Sequence, residues 1–192
     1  MSNALVGTKI AVLVANGFNE VQMTAFQRAF QKKGANVRVI SMDSGLVNGW
    51  TGEEWGHHYA SDAVLNSALA VDYDILLVPG GQRSVEKLKL TGHTKRFIGG
   101  FVAGEKPCAV LDDAASLLFH TGLAAGKTIS APEALSTEAS LQEATYSAEP
   151  FTTEGTLMTT NMENDIEGLV ASVCNHFETC VEAAAAETQL AA

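Results

Sequence analysis

Asp72-Tyr73-Asp74-Ile75-Leu76-Leu77-Val78-Pro79-Gly80-Gly81 is the stretch on which the fold turns. Its apolar run, Ile75–Val78, offers no polar residue to either alternating face. A strand of that kind needs cover on both sides, as in a parallel sheet between helices. Pro-Gly-Gly then stops it in a tight turn. Three further short runs have the same character: Ile10–Ala15, Val37–Ile40 and Cys108–Leu111. Between the first two, the spacing predicts a helix over Glu20–Lys33. Met23, Phe26 and Phe30 form its apolar face, with Val21, Ala25 and Ala29 beside them and Gly34 as its stop. Ser84–Ala103 reads as one or two short helices, and Asp112–Thr121 as a helix ended by Gly122. Asp165–Val181 reads as a helix whose face is Ile166, Leu169, Val170, Val173 and Phe177. Ser136–Gln142 is weakly helical, Thr156–Thr160 a strand, Ser44–Tyr59 a loop or small hairpin, and 183–192 a frayed tail.

Strands alternating with helices predict an α/β chain, a flavodoxin-like three-layer α/β/α sandwich with a mostly parallel central sheet. The 192 residues suggest one domain with its core over about 8–181. A domain of this size buries roughly 70% of its unfolded surface. With 46% hydrophobic and 18% charged residues the composition is globular. Twelve basic against 22 acidic residues give a formal charge of -10, which argues against a nucleic-acid partner and against an anionic membrane surface. Cys108, Cys174 and Cys180 are odd in number and have no metal-binding spacing, so a reducing, cytoplasmic location is expected. His93, His120 and His176 are scattered, and no metal or cofactor is expected. The first eight residues lack a signal-peptide pattern, with Ser2-Asn3-Ala4 either native or an expression scar, and no run is long enough to span a membrane.

In doubly wound folds the site lies beyond the carboxyl ends of the strands. That rule selects three loops: Asn16-Gly17-Phe18-Asn19, Pro79-Gly80-Gly81 and Asp112-Asp113. The local readings of these residues are structural. Asp112 and Asp113 suit a helix start, and Gln22 three residues after Asn19 suits a capping box. Asn161, Asn164 and Asp165 read as caps of the last helix. His57 and His58, near Trp50, Trp55 and Tyr59, read as a surface loop that could rim a pocket.

Taken in order, these segments resemble the ThiJ/PfpI superfamily of class I glutamine amidotransferase-like proteins. Ala15–Gln22 is similar to its first strand and Gly-aromatic-Glu-Glu-x-Glu turn. Asp72–Gly81 is similar to its Pro-Gly-Gly segment, and Lys106–Leu111 to the strand entering its nucleophile elbow. Gly122–Thr128 matches the turn beyond, and the resemblance covers about residues 8–180. It implies a nucleophilic Cys where Asp112 stands, a His at Asp113 and a Glu at Gln22, so Asp112, Asp113 and Gln22 are the candidate catalytic positions. It also implies an oxyanion site from backbone amides near Gly80 and Gly81, with Asn19 close by, which the Asp112 carboxylate could itself fill. Replacing Cys by Asp and Glu by Gln is chemically coherent, because the Gln22 amide can donate to an Asp112 carboxylate. Cys108, four residues before the elbow, does not stand in for the nucleophile.

The reading favoured by the triple replacement is a non-catalytic protein that binds a small molecule or a protein partner, with a stress or regulatory role. The alternative is a hydrolase using Asp112 as nucleophile or general base. Cysteine-dependent protease, glyoxalase or deglycase activity ranks last. The resemblance also implies a homodimer.

Overall fold

A computed structural model of the chain describes residues 4–190. Met1, Ser2, Asn3, Ala191 and Ala192 lie outside the described residues. The strands are β1 (Lys9–Val14), β2 (Phe18–Asn19), β3 (Asn36–Ser41), β4 (Leu46–Trp50), β5 (Trp55–Ala60), β6 (Ala63–Val64), β7 (Ile75–Val78), β8 (Cys108–Leu111), β9 (Thr128–Ser130), β10 (Thr145–Ser147), β11 (Phe151–Glu154) and β12 (Leu157–Thr160). The helices are α1 (Glu20–Lys32), α2 (Gln82–Lys89), α3 (Gly92–Ala103), α4 (Ala115–Thr121), α5 (Ser136–Leu141) and α6 (Ile166–Leu190).

Seven strands form the central sheet in the order β11-β12-β8-β7-β1-β3-β6. All neighbours are parallel except β11 and β12. The period of two along each strand sorts its side chains into two cores. Ile10, Val12, Ile75, Leu77, Ala109 and Leu111 point to one face, where Phe26 and Phe30 of α1 and Leu169, Val173 and Phe177 of α6 cover them. Ala11, Leu13, Leu76, Val78, Cys108 and Val110 point to the other, under α2, α3, α4 and α5. Phe30 sits between Phe26 and Phe177, with ring centroids 5.5 and 5.8 Å away, and locks α1 to α6.

Of the two readings of Ser44–Tyr59, the structure takes the hairpin: β4–β5 is antiparallel and is joined to the first loop by β2. Two departures from the sequence reading matter. The helix after β8 begins as a 3-10 turn, Asp112–Ala114, before α4 takes over. The last helix continues through Ala183 to Leu190, where the sequence reading placed a frayed tail.

Candidate functional site

β8 ends at Leu111, and Asp112 follows with φ 50, in the left-handed region. A non-glycine residue held there costs on the order of 1–3 kcal/mol and persists only when its surroundings fix it. The strand, this turn and the 3-10 start of the helix make an elbow at the carboxyl edge of the sheet. Asp112 is 3% exposed, so its carboxylate needs partners. It has three. Gln22 Nε2 donates to Oδ2 at 2.6 Å, the Met162 N–H donates to Oδ1 at 2.7 Å, and the Thr160 hydroxyl donates to Oδ1 at 3.1 Å. The register that sets Thr160 beside Leu111 brings β12 to the elbow.

Gln22 joins two of the loops that the strand-end rule selects. Its Nε2 reaches Asp112, and its Oε1 accepts the Gly80 N–H at 2.8 Å. The Gln22–Asp112 pairing expected from the sequence is therefore present. The capping box is present only by half. Asn19 caps α1 by accepting from the Gln22 N–H at 3.1 Å, but the Gln22 side chain does not return to Asn19, whose N–H donates to the Gly80 carbonyl.

Asp112 and Asp113 do open the helix, in its 3-10 first turn, but neither is a cap, because Leu111 and Ala114 hold the N-cap positions. Asp113 Oδ1 instead accepts the Gly81 N–H at 2.8 Å. This also corrects the expected contents of the oxyanion site. The Gly80 and Gly81 amides are held by Gln22 and Asp113, and Asp112 occupies neither. The absent side chains at the turn make room for this. A Cβ on Gly80 would fall against the Asp113 carboxylate, and one on Gly81, at φ 119, would meet the Asn19 nitrogen at 2.6 Å. Burial raises Asp113 above the usual carboxylate range; the Gly81 N–H opposes this, while the charges of Asp112 and Glu163 add to it.

A cavity of about 630 Å³ opens above the elbow. Gln22, Gly81, Asp112 and Asp113 form part of its lining, with Asn19, Trp50, Arg83 and Glu163 around them. The Arg83 guanidinium lies 4.1 Å from the Trp50 ring centroid and 5.6 Å from that of Trp55. Trp50 belongs to the β4–β5 hairpin, which therefore supplies a wall of the cavity.

The hairpin is fastened by Glu20, which is 8% exposed. Its carboxylate accepts the His57 N–H at 2.9 Å and the Tyr59 hydroxyl at 2.9 Å, and pairs with His57 Nδ1 at 2.6 Å. Gly49 and Gly56 leave the space it fills. Burial pushes Glu20 up, but the bonds from His57 and Tyr59 outweigh it and hold the carboxyl below its ordinary value. Tyr59 is pushed up to about 12 by burial and by Glu20. His58 is exposed and is not among the residues lining the cavity.

Of the three expected caps of α6, Asp165 caps it, accepting the Gly168 N–H at 2.9 Å. Among the described residues no three His, Cys, Asp or Glu side chains group as metal ligands. Cys108 is fully buried and its thiol is pushed up to about 12 by desolvation, the reverse of what a nucleophilic thiolate needs. Sequence reasoning missed Thr160, Met162, Glu163, Arg83 and Glu20. The strand-end rule, applied to Thr156–Thr160 as well, would have found the first three.

The DJ-1/PfpI family model matches residues 8–175. YraA of Bacillus subtilis, provisionally named a cysteine protease, is 28% identical over 160 residues, covering 83% of this chain and 92% of that protein. A ThiJ/PfpI domain protein from Brachyspira murdochii superposes with a TM-score of 0.80 at 15% identity, covering 91% of this chain and 98% of that one. A two-domain protein from Anabaena variabilis, with DJ-1/ThiJ/PfpI-like and ferritin-like domains, also gives 0.80, at 20% identity over 88% of this chain. The chain spans about half of that protein, 47% of its length. At such identities the two structures show the fold alone. The chain belongs to the DJ-1/PfpI family.

Proposed function

We propose that this member of the DJ-1/PfpI family binds a small molecule in the elbow cavity without transforming it. The observation that carries this reading is the occupation of the elbow by the chain's own side chains. The Gly80 and Gly81 N–H groups donate to Gln22 and Asp113, so neither is free for a developing oxyanion. Asp112 already accepts three hydrogen bonds, which use about three of the four acceptor sites of a carboxylate and lower its nucleophilicity. Cys108 is buried and cannot reach a substrate. The cavity itself remains, walled by the hairpin and open to solvent beside Arg83. Pairing of two copies and a stress-related role belong to the same proposal and rest on the family resemblance; a cytoplasmic location belongs to it too and rests on the free cysteines.

Turnover tests it. Purified wild-type protein and Asp112→Asn are assayed on methylglyoxal and on a panel of activated esters and amides. The expected result is no rate above background for either. Turnover by the wild type that disappears in Asp112→Asn would make the protein an aspartate-dependent hydrolase instead.

A further inference from the structure

Arg83 is held in place without an acidic partner. Its guanidinium lies over Trp50, and the Trp50 and Trp55 rings meet edge to face at 5.4 Å. Its stem packs on Gly17, where a Cβ would fall on Arg83 Cβ. Three carboxylates, Asp112, Asp113 and Glu163, line the same cavity. Yet among the described residues none pairs with Arg83. An indole ring contributes no acceptor to a guanidinium's N–H donors, so the contact with Trp50 leaves those donors open. Those donors match a carboxylate two at a time.

The acidic side of the cavity has the opposite need. Asp112 is spent on Gln22, Thr160 and Met162. Glu163 is exposed and has no bond or ion pair among the described residues. Asp113 keeps company with two other carboxylates. A simple anion at Arg83 would face this acidic side, and a simple amine would leave Arg83 unanswered. A ligand bearing both charges answers both, and a cavity of about 630 Å³ accommodates one of metabolite size.

We propose that the cavity takes a small zwitterion, its carboxylate bound by the edge of Arg83 and its ammonium facing Asp113 and Glu163. This rests on the ligand-binding reading above. Two sources share the chemistry: free amino acids, and longer amino-carboxylates such as ω-amino acids and dipeptides.

The full chain is titrated, by thermal shift and calorimetry, with glycine, L-alanine and L-glutamine as one arm. The other arm is 4-aminobutyrate and glycylglycine, with butyrate and butylamine as singly charged controls. At least one zwitterion is expected to raise Tm with concentration while neither control does. Arg83→Met, which keeps the stem on Gly17, is expected to weaken that binding about tenfold or more, and Glu163→Gln several-fold. The unliganded Tm of each variant confirms that it folds. The inference is overturned if no zwitterion binds, if Arg83→Met binds as well as wild type, or if a control binds equally. None of those results would restore chemistry at Asp112, so the non-catalytic reading stands or falls separately, on turnover.

Discussion

Asp112 and Glu20 are both buried carboxylates, and each accepts three hydrogen bonds, but their donors differ in kind. Asp112 is held by an amide, a hydroxyl and a backbone N–H, none of which titrates near neutral pH. Glu20 is held by a backbone N–H, a phenol and the ring of His57, whose side chain is 85% exposed. The elbow is thus fixed by groups that keep their state across the physiological range. The hairpin wall, which carries Trp50, is fastened to its carboxylate by two side chains of its own strand β5, His57 and Tyr59. One carboxylate fixes the floor of the cavity and the other fastens its side.

The largest effect should come from breaking the floor. Gln22→Leu removes the amide that serves both Asp112 and Gly80, leaving a buried carboxylate short of a donor and a buried N–H without an acceptor. A loss of about 3 kcal/mol is expected, read from urea unfolding. Gln22→Glu sharpens the same point. It places a second carboxyl within reach of Asp112, and one of the two must take up a proton. The carboxyl that holds the proton has a folded pKa above its unfolded one. Its contribution to stability is full below the unfolded value and is lost as pH rises through the folded value. Stability of Gln22→Glu should therefore fall between acidic and neutral pH relative to wild type.

Breaking the side wall should cost less. Glu20→Gln keeps the shape but exchanges charge-assisted bonds for neutral ones, and about 1–2 kcal/mol is expected. Its mark should be local. Amide exchange should rise in β4 and β5 while the central sheet keeps its protection.

The smallest effects are those of pH on wild type, and they oppose each other. Glu20 lies below its ordinary 4.5, so its contribution is full above that value and is lost as pH falls through the lowered one. Asp113 lies above its ordinary 3.8, so its contribution is full below 3.8 and is lost as pH rises through the raised value. Acidification from neutrality should first bring a small gain, absent in Asp113→Asn, and then a loss, reduced in Glu20→Gln. Urea midpoints across that range check both.

The sequence carried the sheet well, because fully buried parallel strands leave a signature in each short run: Ile75–Val78 is apolar whichever way its side chains point. It carried the Gln22–Asp112 bond as chemistry, since a carboxylate that replaces a thiol needs a donor rather than a second acid. It did not carry the partners of Gly80 and Gly81. A helix-capping propensity is local, and at Asp113 the long-range Gly81 N–H prevails over it. The short strands β9, β10 and β11 were missed because three or four residues, most of them polar, give no clear period. Glu20 was missed because its partners lie 37 and 39 positions away across a hairpin whose register sequence does not fix.

Closure of the elbow to chemistry rests on the state of two amides. Hydrogen exchange at Gly80 and Gly81, followed residue by residue in wild type and Gln22→Ala, tests it. Both amides should be strongly protected in the wild type. Gln22→Ala should release Gly80 while Gly81 stays protected by Asp113. Rapid exchange of both in the wild type would show the donors open, and the claim that the elbow is closed to chemistry would be wrong.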